Sequence, residues 1–332
     1  MVGSSLVSAL LDRRASIVAL VRDGSPQSQL VRGGLAARIC VVRGDLTDLD
    51  RLRQTMAKYS IQTVFHLGAQ TVVGVAKSDP LSTMESNIRG TWNILEAARL
   101  GGIAQLLIAS SVLVAGTESI SSPTTAGQQS TTPGLYPYEV SKICAERLAQ
   151  TYAQTYRMPI GVVRCGNLYG GGDLNFSRLI PGAVRATLRG ERFQFRSDGR
   201  LMRDFLYCED VVGAYIRFAE RIAADPSLAG VAIPFGSGRR HSVLDIVRTI
   251  LRLADRGDLE PLVGSAPSTE IAEEALDLGD ARNFLGWTPE YSLEEGLRCT
   301  IAWYRMHFEA GLSNAQTYAR GRRTVFVGGG IQ

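Results

Sequence analysis

Two residues one helical turn apart carry the chemistry most readily read from this 332-residue chain. In the stretch Y-P-Y-E-V-S-K, Tyr138 and Lys142 stand at i and i+4, so a helix through them presents both side chains on one face. A free tyrosine titrates near pH 10 and is a poor base at neutrality. An ammonium beside it stabilises the phenolate, and lowering the pKa by ~3 units corresponds to roughly 4 kcal/mol of differential stabilisation. So tuned, the phenol is a usable acid/base for an alcohol that loses hydride. A Y-x-x-x-K pair also arises by chance on half-exposed helices, so further groups are needed. Ser111 is one: it ends the apolar run L-L-I-A-S-S, where a hydroxyl could hold the same substrate oxygen as Tyr138.

The elements that must position these residues alternate along the first half. A helix at 3–14 precedes the apolar run S-I-V-A-L-V (16–21), and further strand-like runs follow at 38–45, 63–69, 106–111 and 160–170. Helical patterns at 48–58, 82–100 and 138–157 separate most of them. Unbroken apolar strands joined by helices indicate a parallel sheet covered on both faces, an α/β doubly wound architecture of Rossmann type. Ligands on such sheets bind beyond the carboxyl ends of the strands, so Arg22, Asp45, Ala69, Ser111 and Asn167 are expected to line one crevice. The second half is less regular, with helices at 177–189, 241–256 and 292–308. A Ser/Thr/Gln/Gly/Pro-rich surface loop is expected at 117–134, and a polar connector at 311–323.

The net charge of +4 is modest and there is no basic run, so no nucleic-acid partner is expected. Five cysteines (Cys40, Cys144, Cys165, Cys208, Cys299) lie far apart without a C-x-x-C, which suits reduced thiols in the cytoplasm. His66, His241 and His307 show no metal-ligand spacing, and no metal is assigned. No apolar stretch reaches the length of a membrane span. The opening M-V-G-S-S-L-V-S-A-L-L lacks a basic start and a cleavage site, and reads as a helix face rather than an export signal. A cytoplasmic protein is therefore expected.

Further motifs follow in order: G-D-L-T-D (44–48), H-L-G-A-Q (66–70), N-I-R-G-T-W-N-I-L-E-A-A (87–98), G-N-L-Y-G-G-G-D (166–173) and R-D-F-L-Y-C-E-D-V-V (203–212). Together with Ser111 and Y-x-x-x-K they resemble the extended short-chain dehydrogenase/reductase family. Within it they resemble the NAD-dependent epimerases and dehydratases of nucleotide sugars, most nearly the CDP-glucose 4,6-dehydratase-like members. The resemblance implies a dinucleotide-binding domain over 1–170, with parts of 205–238 and 324–332, and a smaller discontinuous substrate domain over 171–310. It implies Ser111, Tyr138 and Lys142 as catalytic residues. Asp45 and Leu46 would flank the adenine, Leu67, Gly68 and Ala69 would pass the cofactor, and Asn87 would support the nicotinamide side. Asn167, Arg178 and Arg203 are the candidates for holding the nucleotide sugar, Arg203 through the charged fork that suits phosphate. A homodimer paired through helices is also implied. The cofactor is NAD or NADP, and Arg22 at a strand end leans the reading to NADP, since an arginine there accommodates a 2'-phosphate.

Two departures change the expectation. Dehydratases of this kind follow the catalytic Ser/Thr with ionisable residues that move protons during loss of water, whereas here Val112 and Leu113 follow Ser111. Valine and leucine transfer no protons, which leaves a 4-epimerase or 4-reductase as the alternative to a dehydratase, and a cofactor-binding protein without turnover as a reading of another class. The second departure concerns the first strand and its glycine turn, of which the opening residues carry only Gly3. Written in series, R-R-T-V-F-V-G-G-G-I-Q and M-V-G-S-S-L-V read as strand, glycine turn and helix, with Gly329, Gln332 and Gly3 at the three glycine positions. The expectation is a circular permutation in which Thr324–Val327 fills a central slot between 16–21 and 63–68; an unrelated tail is the alternative. Gln332 in a glycine position is expected to weaken cofactor binding, because its Cβ takes up space that the pyrophosphate needs.

Overall fold

The computed structural model describes residues 1–24, 27–114, 136–195, 197–265 and 276–321, with backbone alone from 310 onward. The chain opens with α1 (Val2–Asp12), β1 (Val18–Val21), α2 (Gln29–Arg32), β2 (Cys40–Arg43), α3 (Leu49–Lys58) and β3 (Thr63–His66). Two short helices, α4 (Val73–Ser78) and α5 (Pro80–Met84), lead through a π-helical turn at Glu85–Arg89 into α6 (Gly90–Gly101). Then come β4 (Gln105–Ser111), α7 (Pro137–Tyr156), β5 (Ile160–Cys165), β6 (Asn167–Tyr169) and α8 (Leu179–Arg189). The remainder is β7 (Met202–Tyr207), α9 (Cys208–Ala224), β8 (Ala232–Phe235), β9 (Arg240–Ser242), α10 (Val243–Leu253), α11 (Gly279–Leu285) and α12 (Leu293–Gly321).

The chain divides into two compact units. The first comprises 1–168, 202–241 and 272–291 and holds the parallel α/β fold expected from the alternating pattern. Its strands run parallel in the order β3-β4-β5-β8, with β1 and β2 forming a separate parallel pair. Side-chain alternation along the strands feeds two cores. Leu106, Ile108, Ile160 and Val162 enter one with α3, α6 and α7; Leu107, Val163 and Cys165 enter the other with α9 and α11. Gly161 lets the second core close, because a Cβ there would stand 2.8 Å from both Leu107 Cδ1 and Phe218 Cζ. In the second unit (169–201, 242–271, 292–332), α8, α10 and α12 pack together through buried Ile180, Val184, Ile246, Ile250, Leu297 and Ile301.

The stretch 311–321, expected to open a connector, instead continues α12 as helix. It contains no proline, and its alanine, leucine, glutamine and arginine are good helix formers that outweigh Gly311. The loop 117–134, the strand candidate 324–327 and Gly329 lie outside the described residues. Among the described residues no helix is long and apolar enough to cross a membrane.

Candidate active site

Local signals set the start of α7. Pro137 occupies its first turn, and Glu139 Oε2 accepts from the Tyr136 backbone N–H at 2.7 Å, closing the helix entrance. That puts Tyr138 in the first turn and Lys142 one turn further on. Lys142 is buried and its Nζ donates to Ala109 O of β4 at 3.0 Å, two residues before Ser111. Burial pushes the Lys142 pKa down to about 8, because the ammonium loses its water shell. Ser111 lies opposite Cys165 in the β4–β5 register, and Cys165 is itself pushed up to about 12 by burial. The sequence-predicted serine, tyrosine and lysine thus sit on two elements tied together by the charge-assisted bond from Lys142 to Ala109 O.

A second chain of bonds ties α7 to the loop after β3. Asn87 is buried within the π-helical turn, a geometry that recurs at functional sites. Its Oδ1 accepts from Gln70 N at 2.7 Å, while Nδ2 donates to Gln70 O at 2.9 Å and to Ser141 Oγ at 2.8 Å. Ser141 in turn donates to Tyr138 O at 2.7 Å. The backbone that carries Tyr138 is therefore braced against residue 70 through a single asparagine. Sequence reading had Asn87 but missed Gln70 and Ser141; the serine next to Lys142 in Y-E-V-S-K was the available signal.

His66 sits behind this group, with Nε2 3.0 Å from Thr91 Oγ1. Burial first, and the charge of Lys142 second, hold its pKa down at about 3, so the ring is neutral and packed. Below Ser111 the carboxylate of Glu146 accepts from Ser110 Oγ at 2.8 Å and forms a buried ion pair with Arg164, which anchors the opposite side of β4.

The loop after β2 is equally well held. Asp45 Oδ1 accepts from Thr47 N and Thr47 Oγ1, each at 2.8 Å, and these bonds keep its carboxyl below the usual range. Asn93 Nδ2 donates to Leu46 O at 2.9 Å. Leu46 lies across two glycines: a Cβ at Gly68 would stand 2.8 Å from its Cδ1, and one at Gly90 2.9 Å from its Cβ. Leu67 and Gly3 meet at the start of α1, whose first turn has no acidic residue and no side-chain cap. An open helix N-terminus of that kind is suited to an anion. The described residues therefore fit a dinucleotide: an uncapped helix end, a glycine-backed leucine, a fixed carboxylate and a buried ammonium.

The remaining candidates are more dispersed. Arg22 is exposed and its Nε pairs with Asp23 Oδ2 at 2.7 Å. The register puts Arg43 beside Val21, and its guanidinium covers Gly24 so closely that an added Cβ would overlap it. Arg43 had gone unnoticed in the sequence. Asn167 Nδ2 donates to Asp204 O at 3.3 Å, and Arg203 Nη1 to Met202 O at 3.1 Å. Buried Asp204, also missed, accepts from Ser237 N at 2.8 Å and Gly238 N at 3.0 Å and so shapes that loop. Arg178 belongs to the second unit, where its Nη1 pairs with buried Asp173 at 2.9 Å. β3 ends at His66, so Ala69, expected at the end of a strand over 63–69, lies three residues beyond it in the following loop.

Comparison with known proteins bears on the same arrangement. The chain is 30% identical over 269 residues to a UDP-glucuronate 4-epimerase of Thermodesulfobacterium geofontis, covering 80% of this chain and 79% of that protein. It is 27% identical over 270 residues to a trifunctional UDP-glucose 4,6-dehydratase/UDP-4-keto-6-deoxy-D-glucose 3,5-epimerase/UDP-4-keto-L-rhamnose-reductase of Arabidopsis thaliana. That match takes 81% of this chain but spans only 39% of the plant protein. Among solved structures, MoeE5 in complex with UDP-glucose and NAD superposes with a TM-score of 0.73 at 28% identity, covering 92% of this chain and 96% of that one. A family model described as the NAD dependent epimerase/dehydratase family matches residues 1–230. On the strength of that match, the chain belongs to the NAD-dependent epimerase/dehydratase family.

Proposed function

We propose that this chain is a cytoplasmic enzyme that oxidises C4 of a hexose carried on a nucleoside diphosphate and returns the hydrogen to that carbon, as a nucleotide-sugar 4-epimerase. The observation that carries the reading is the buried Lys142 ammonium, fixed to Ala109 O one helical turn from Tyr138 and two residues from Ser111. Tyr138, held as the phenolate by the nearby Lys142 ammonium, takes the proton of the C4 hydroxyl and becomes the neutral phenol, while Ser111 Oγ donates to the same sugar oxygen. Asn87, through Ser141, holds the backbone of Tyr138 while this happens. A nicotinamide bound there supplies the hydride acceptor. Asn167 and Arg203 of the first unit serve the diphosphate.

Dehydration is disfavoured because Val112 and Leu113 occupy the positions after Ser111, and neither side chain takes a proton from C5 or gives one to the C6 hydroxyl. Reduction of a ready-made 4-keto sugar uses the same residues in one direction only. Arg22 at the end of β1, and Arg43 in register with Val21 just before it, favour NADP(H) over NAD(H). Exposed Leu81, Trp92, Leu100 and Tyr156 on α5, α6 and α7 favour a homodimer through those helices.

The test is the mass of the product. Purified protein supplied with UDP-, dTDP- or CDP-glucose and NAD(P) should yield an isomer of unchanged mass; a product lighter by one water refutes epimerisation and restores the dehydratase. Tyr138→Phe should abolish turnover while leaving cofactor binding nearly intact. Binding without turnover in the unaltered protein refutes the enzymatic reading altogether.

A further inference from the structure

The first unit contains an opening where a doubly wound sheet is normally densest. Among the described residues, β1 pairs with β2 and β3 pairs with β4, and no hydrogen bond joins β1 to β3. Between them lies a cavity of about 920 Å³, lined by Val18 of β1, Thr63 and Phe65 of β3, Leu10 of α1, and Ile216 and Ala219 of α9. All four residues of β1 are only half-buried, whereas every residue of β5 is buried. Two strand edges thus face each other with their backbone groups unmatched across a groove of mixed lining, apolar at Leu10, Phe65, Ile216 and Ala219 and polar at Arg13, Arg38, Gln62 and Glu220. Unpaired backbone beside apolar surface is costly, and the arrangement that satisfies both edges together is one more strand.

We propose that the groove between β1 and β3 is a strand-accepting site, and that its occupant is Thr324–Val327 of this same chain. The lengths agree, since β1 and β3 are each four residues long, as is T-V-F-V. The composition agrees as well: one threonine, two valines and a phenylalanine favour a strand, and apolar side chains match the lining from α1 and α9. Gly328, Gly329 and Gly330 follow at once and supply the freedom for a tight turn at the end of such a strand. With the segment inserted in parallel, β2-β1 and β3-β4-β5-β8 become one continuous sheet. Recognition is by main-chain hydrogen bonds on both edges, with side chains setting the register.

The full-length protein tests this directly. Phe326 is replaced by photoreactive benzoylphenylalanine in an equal mixture of light and heavy-isotope chains, and the crosslinks are mapped by mass spectrometry. Crosslinks within one chain to residues 17–20 or 62–66 are expected. Light-to-heavy crosslinks would show that a second copy fills the groove and overturn the proposal, as would crosslinks outside the groove. As an independent measurement, Phe326→Asp should speed amide exchange in 18–21 and 63–66 at least tenfold while 160–165 stays protected. Unchanged exchange in both edge strands overturns the proposal.

Discussion

Replacing Lys142 by methionine should make the protein more stable at pH 7 while ending turnover. The folded pKa of Lys142 is pushed down to about 8 from 10.5, chiefly because its ammonium is buried. A lysine with a lowered folded pKa binds fewer protons folded than unfolded between those values. Its burial cost is therefore fully present below pH 8, shrinks as pH rises, and is gone above 10.5. A gap of about 2.5 units corresponds to about 3 kcal/mol. Methionine matches the chain length, removes the charge and forfeits the bond to Ala109 O, a loss of about 1 kcal/mol. The net expectation is a gain of about 2 kcal/mol at pH 7. Urea titrations of both proteins at pH 7, 8, 9 and 10.5 read it out, and the difference between them should fade across that series. A variant less stable than the parent at pH 7, or a difference that ignores pH, refutes the claim that an uncompensated buried ammonium stands in this site.

Other expectations follow from the same geometry. Asn87→Ala removes three hydrogen bonds around Gln70 and Ser141, and should cost about 2–4 kcal/mol in a denaturant titration while lowering kcat more than it raises KM. The carboxyl of buried Asp210 is pushed up to about 6 by desolvation, so the folded state holds the extra proton between about pH 4 and 6. Its contribution to stability falls as pH rises through that window, and Asp210→Asn should flatten this part of the stability–pH curve. The proposed helix-paired homodimer predicts that Trp92→Glu, at an exposed position of α6, gives only monomer in sedimentation where the parent gives dimer, with unchanged circular dichroism; a parent that sediments as monomer refutes the dimer.

The fold was legible because its signals are local. Apolar runs such as L-L-I-A-S-S and I-G-V-V-R-C mark strands covered on both faces, and they fall at Gln105–Ser111, where only Gln105 and Ala109 are half-buried, and at Ile160–Cys165, which is buried throughout. The boundaries of α12 were less legible: the polar face of 311–321 reads as a connector, yet its helix propensity carries the helix through. The i, i+4 spacing of Tyr138 and Lys142 was visible at once. The bond of Lys142 to Ala109 and the brace from Gln70 through Asn87 to Ser141 were not, since those partners lie 33, 17 and 54 residues apart.

By itself the amino-acid sequence determined the alternation of strand and helix, the family, and which side chains are able to exchange a proton with a sugar hydroxyl. Each of those depends on residue type and short-range spacing. The tertiary structure alone decided that the lysine is desolvated, that Arg43 stands beside Val21 and over Gly24, and that β1 and β3 leave a groove between them. Those properties come from groups distant along the chain being packed together, and burial and backbone pairing exist only once that packing has formed.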